Sequence, residues 1–116
     1  MASNKIYAIS DLHVDYEENM KWIEQLSDQN YRNDTIIIAG DVTHVPSKLI
    51  RTLKLFKEKF QDVYFCPGNH ELWTVGQRED QELGIQNSIE KFHYVAKTFV
   101  RRKFQFFFFL LDYKNL

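Results

Sequence analysis

The chain lacks the features that would place it in several large protein classes. Its single cysteine, Cys66, has no partner for an internal disulfide. The N-terminus lacks the basic-then-apolar pattern of a secretory leader, so a reducing, cytoplasmic location is expected. Charge of neither sign dominates, with 15 lysines and arginines against 16 aspartates and glutamates. That balance gives no global basic field for non-specific nucleic-acid binding, while leaving nucleic acid open as a substrate. The strongly apolar stretch Phe104 to Leu111, broken only by Gln105, is far shorter than the about 20 residues a membrane-spanning helix needs. Glycine and proline are sparse, at four and two, and no repeat or low-complexity linker divides the chain. Its 116 residues allow one domain at most.

What the chain has is an alternation of β-prone and amphipathic segments. Lys5 to Ser10 is apolar and β-prone. Glu17 to Gln29 carries Met20, Ile23 and Leu26 at helical spacing. Thr35 to Ala39 is a continuous β-branched run of the kind found in a parallel strand covered on both faces. After Pro46, Ser47 is placed to cap a helix whose stripe of Leu49, Ile50, Leu53, Phe56 and Phe60 runs to about Lys59. A third strand is expected at Val63 to Cys66, stopped by Pro67-Gly68. Asp80 to Lys97 reads as a further helix, weakened near Gly84, and a fourth strand is possible over 104–111. The order is βαβαβ, an α/β arrangement with strands at about 5–10, 35–39 and 63–66.

Three polar clusters sit at the ends of the first three strands: Asp11-Leu12-His13, Gly40-Asp41 and Gly68-Asn69-His70-Glu71. They recur at intervals of roughly thirty residues, the length of one βαβ unit. The carboxyl ends of parallel strands open onto one crevice, so these residues are expected to converge. Two aspartates, two histidines and an asparagine make an oxygen and imidazole donor set suited to a divalent metal. Taken singly, Asp11, Asp41 and Asn69 are also ordinary turn residues.

The three clusters, in order, resemble the first signature blocks of the calcineurin-like metallophosphoesterase superfamily. The resemblance implies a layered α/β sandwich of which this chain carries the N-terminal part, as a single incomplete domain over residues 1–116. It also implies two divalent metal ions, manganese, iron or zinc, with Asp11 and His13 on the first, Asp41 bridging, and Asn69 on the second. His70 is then the catalytic residue, acting at the leaving group while a metal-bound hydroxide attacks a phosphomonoester or phosphodiester. Glu71 is read as holding its loop rather than as a ligand. Val42-Thr43-His44-Val45 follows Gly40-Asp41 where protein phosphatases carry Asp-Arg-Gly, which argues against that branch.

Family members supply further metal-ligating histidines from later blocks, and this sequence has neither block. Its other histidines, His44 and His93, read as surface or partly buried side chains. Two expectations follow: a phosphoesterase of weak or no activity holding as few as one metal, or a non-catalytic fragment that binds a metal or a protein partner. The substrate is expected to be a phosphate ester, without a membrane partner. Asp15, Glu17 and Glu18 read as the solvated start of a helix, and Arg101-Arg102-Lys103 as a solvated turn.

Overall fold

The computed structural model describes residues 4–74, 78–101 and 105–106. The elements run β1 (Ile6–Ile9), α1 (Glu17–Glu24), β2 (Thr35–Ala39), α2 (Pro46–Lys59), β3 (Asp62–Cys66), a single 3₁₀ turn (His70–Leu72), α3 (Arg78–Glu82), α4 (Ser88–Arg101) and β4 (Gln105–Phe106). The strands form one parallel sheet in the order β1-β2-β3-β4, with Ile6 opposite Thr35, Thr35 opposite Asp62, and Tyr64 opposite Gln105. The expected βαβαβ order is present. Of the 104–111 run only Gln105–Phe106 is described, as β4; the rest lies outside the described residues.

Strands laid down in sequence order by right-handed crossovers carry their connecting helices on one face. The core has that form: Ile23 of α1, Leu49, Leu53 and Phe56 of α2, and Val95 of α4 pack with Ile36, Ile38, Val63 and Phe65. β2 and β3 accordingly alternate, with Ile36, Ile38, Val63 and Phe65 buried and Ile37, Tyr64 and Cys66 half-buried. The expectation that Thr35 to Ala39 is covered on both faces is therefore corrected, since among the described residues only one face is packed. Ile6, at 74% exposure, and Ala8 lie on the other face, beside Ile37. At the N-terminal edge of the sheet Tyr31 stacks on Phe60 with ring centroids 4.9 Å apart, and Tyr7 meets both edge-on.

Helix ends differ from the expected ones for local reasons. α1 stops at Glu24 rather than near Gln29, because Ser27 Oγ accepts from the Gln29 and Asn30 backbone N–H groups and folds that segment into a turn. Buried Lys59 donates from its ammonium to the Glu24 and Leu26 carbonyls and to Asp28, satisfying the end of α1 from the end of α2. Ser47 is not the cap of α2. Val45 holds that position with Pro46 as the first helical residue, and Ser47 Oγ donates to Glu79. The single helix expected over 80–97 is two. Gly84, at φ +74°, ends α3 in a Schellman turn, its N–H on the Gln81 carbonyl and that of Ile85 on the Asp80 carbonyl. Asn87 then caps α4 by accepting from Glu90 N–H at 2.9 Å. Arg101 is the last residue of α4 rather than part of a turn, and 102–103 lie outside the described residues.

Candidate functional site

The site is built where β1, β2 and β3 end. Asp11, His13 and Asp41 have φ of +56°, +43° and +55°, a left-handed region that Asp, Asn and His enter more readily than other side-chain-bearing residues. Such residues cost on the order of 1–3 kcal/mol each and persist where surrounding contacts over-determine them. Here the contacts are visible. Asp11 N–H donates to the Gly40 carbonyl, His13 N–H to that of Asp41 and Val14 N–H to that of Val42, extending the β1-β2 pairing past both strand ends. Asn19 holds the same loop from α1 by donating to the His13 carbonyl.

Gly40 and Gly68 let the β2 and β3 exits touch. A Cβ on Gly40 would stand 2.8 Å from Gly68 Cα, and one on Gly68 would stand 2.5 Å from Asp41 Oδ1. Glu71, 1% exposed, closes this junction. Its Oε1 accepts from Asp41 and Gly68 N–H at 2.7 and 2.8 Å, and its Oε2 from Val42 and Thr43 N–H at 2.8 and 3.1 Å. Burial pushes the Glu71 carboxyl above the ordinary carboxylate range, and those four N–H donors pull against it. The reading of Glu71 as a loop constraint matches this geometry. Burial, with the neighbouring Glu71 charge, also pushes the Cys66 thiol up, which disfavours the thiolate needed of a ligand or nucleophile.

The clusters meet as follows. Asp41 Oδ1 accepts from His70 N–H at 3.0 Å, His13 Nε2 lies 3.5 Å from Asp11 Oδ1, and the His13 and His70 rings are 4.7 Å apart. Ser10 Oγ donates to Asp11 Oδ2. Asn69 is exposed and right-handed helical in backbone, at the N-terminal end of the 3₁₀ turn. Among the described residues no group of three or more His, Cys, Asp or Glu side chains is arranged to hold a metal ion. In kind, however, the carboxylates of Asp11 and Asp41, the His13 imidazole and the Asn69 amide oxygen are the donors a borderline divalent cation takes.

Three neighbours of the site were not legible in the motifs. Trp73 follows the 3₁₀ turn with its ring 3.9 Å from that of His70 and 6.4 Å from that of His44. Asp15 does not simply open a solvated helix: it accepts from Thr43 Oγ1 at 2.8 Å and from Lys48, with His44 Nδ1 at 3.7 Å. Lys91, 1% exposed, donates to Asp80, to the His44 carbonyl and to the Trp73 carbonyl, tying the β2 and β3 exit loops to α3 and α4. The signal for that clamp was a lysine standing beside the apolar stripe of Ile89, Phe92 and Val95. His93 is half-buried in α4 against Phe92.

Comparison with known proteins agrees with the fold. The family model described as calcineurin-like phosphoesterase matches residues 4–115. A curated relative, the [Acyl-carrier-protein] phosphodiesterase PptH of Mycobacterium tuberculosis, is 36% identical over 83 residues, which are 72% of this chain and 25% of that protein. The crystal structure of Phosphopantetheinyl Hydrolase (PptH) from Mycobacterium tuberculosis superposes with a TM-score of 0.73 at 26% identity, covering 91% of this chain and 36% of that one. This chain thus spans between a quarter and two-fifths of the relatives it matches. A match over nearly its whole length, on a parallel sheet whose strand ends gather the expected residues, shows that the chain belongs to the calcineurin-like phosphoesterase family.

Proposed function

We propose that this site is the metal- and phosphate-handling edge of a metal-dependent phosphoester hydrolase, with a phosphodiester as the preferred class of substrate. The observation that carries the reading is the meeting of three strand exits, in which His70 is held on Asp41 by its backbone N–H while its ring packs on His13 beside Asp11. Asp11, His13, Asp41 and Asn69 would hold the cation. When bound, it supplies positive charge that offsets the repulsion of the phosphate anion and polarises the phosphorus–oxygen bonds. His70 donates its ring proton to the ester oxygen as the bond from phosphorus to the leaving group breaks, while water adds to phosphorus from the opposite side and gives up a proton to solvent. Glu71 keeps Asp41 and Gly68 in contact so that this edge does not open.

The names of the relatives make a phosphopantetheine diester on an acyl carrier protein the first natural substrate to try. The test is hydrolysis of aryl phosphate monoesters and diesters with and without manganese. His70→Ala is expected to lower turnover about 10²–10⁴-fold with KM little changed, and Asp41→Ala to weaken manganese binding by calorimetry. Metal-independent hydrolysis that survives His70→Ala would overturn the mechanism, and equal manganese binding by Asp41→Ala would remove Asp41 from the site. A second reading, a chain that binds a cation without turning over substrate, draws support from the donor count: four donors are what one tetrahedral ion takes, and two ions need more. Manganese binding without hydrolysis of any ester would favour it.

A further inference from the structure

We infer that Trp73, with His44 behind it, forms the rest for the organic body of the leaving group, making Trp73 a specificity-determining residue for esters whose alcohol carries a bulky apolar body. The inference rests on the phosphoesterase reading, because it starts from His70 as the donor to the leaving-group oxygen. An oxygen within reach of the His70 ring brings the rest of the alcohol against whatever flanks that ring. One neighbour of that ring is His13, assigned to the cation, with ring centroids 4.7 Å away; another is Trp73, with ring centroids 3.9 Å away. The two ring neighbours of His70 therefore differ in chemistry, one suited to charge and one to apolar contact.

The indole is both available and held in place. Trp73 is 49% exposed, so part of a large aromatic surface stands open beside the reacting group. Its backbone is fixed at both ends: the N–H donates to the His70 carbonyl at 3.2 Å, and the carbonyl accepts from buried Lys91. The same ammonium also holds the His44 carbonyl, so one buried charge anchors the backbones of Trp73 and His44, whose rings lie 6.4 Å apart. Trp22 is equally exposed on α1, where it has no ring neighbour of this kind among the described residues. The row His13, His70, Trp73, His44 thus leads outward from the reacting atoms to Asp15 and Lys48.

The test exploits the two tryptophans of this chain, Trp22 and Trp73. In a Trp22→Phe protein with zinc present, benzylphosphonate and ethylphosphonate are titrated; a methylene replaces the ester oxygen in both, so neither can turn over. Benzylphosphonate is expected to change Trp73 emission and to bind about tenfold tighter than ethylphosphonate, the order of effect of one aromatic stack. By calorimetry Trp73→Ala should bind the two alike, and Trp73→Phe should keep most of the preference. Equal binding of both by the parent, a preference that survives in Trp73→Ala, or unchanged emission at saturating benzylphosphonate would overturn the inference while leaving phosphoester hydrolysis standing. Binding of neither phosphonate would overturn the inference, and only absence of hydrolysis of aryl phosphate monoesters and diesters with manganese would overturn the reading it rests on. The emission change needs no Trp73 variant to fold, so it decides the matter by itself if Trp73→Ala does not.

Discussion

Glu71 shows how much one side chain can organise. Two carboxylate oxygens satisfy four backbone N–H groups from two loops, and such groups are otherwise costly to bury. Glutamine has the same shape, but it turns an amide N–H₂ toward two of those donors. Glu71→Gln is therefore expected to destabilise the protein by about 2 kcal/mol or more, since a buried donor left without a partner costs about 1–3 kcal/mol. Urea midpoints of the two proteins would check this, and unchanged midpoints would mean that the four contacts are dispensable. At the same scale, positive φ at Asp11, His13 and Asp41 places strain on three of the residues assigned to the cation and leaves the rest of the described backbone, glycines apart, free of it.

Among the elements, two buried lysines do the joining. Lys91 fixes two site loops on α4, and its ion pair with Asp80 is 1% exposed on both sides. Removing one partner of a buried pair leaves an uncompensated charge, so Lys91→Met should cost about 3–5 kcal/mol. The double variant with Asp80→Leu should recover more than half of that loss, as read by thermal unfolding of all four proteins; no recovery would mean that the carbonyl contacts carry the clamp alone. Lys59 plays the corresponding part at the end of α1. A side-chain hydrogen bond from Lys59, helped by its charge, holds the Asp28 carboxyl below its ordinary value of 3.8. Because the folded value is the lower one, the contribution is present above that ordinary value and is lost as pH falls through the depressed one. Asp28→Asn is expected to flatten the acid limb of stability against pH and to leave the neutral region nearly unchanged; equal acid sensitivity in both proteins would remove Asp28 as a contributor.

At the scale of the molecule, packing among the described residues is one-sided. Helices α1, α2 and α4 cover one face of the sheet, and the face carrying Ile6, Ala8 and Ile37 is open or half-open. Ile37 and Ile38 are adjacent and chemically identical, so they separate the two faces cleanly. Ile38→Ala should cost about 2–5 kcal/mol, as for a fully buried aliphatic, and Ile37→Ala less than half as much. Equal losses would mean that the second face is packed in solution. No helix among the described residues is long and apolar enough to cross a membrane.

The strands at 6–9, 35–39 and 62–66, the α2 helix and the position of Asp11, His13, Asp41, Asn69 and His70 just past the strand ends could be read from the chain, because each depends on local pattern. β-branched runs favour strands, a 3.6-residue stripe favours a helix, and polar clusters just after parallel strands are carried to one edge by topology. The break between α3 and α4 was legible only in part: Gly84 and Asn87 are local signals, but a glycine inside an apolar periodic stretch can weaken a helix or end it, and the Schellman and cap contacts show that it ends one here. What only the tertiary structure decided lies in contacts between residues far apart along the chain. Glu71 reaches Thr43 across 28 positions, Lys91 reaches His44 across 47, and Asp15 meets Thr43 across 28. None of these pairings leaves a periodic trace, because hydrogen bonds and ion pairs select partners by direction and distance in space. The same is true of the covered face of β2: Ile37 and Ile38 are indistinguishable in sequence, and the hand of the crossovers chooses between them.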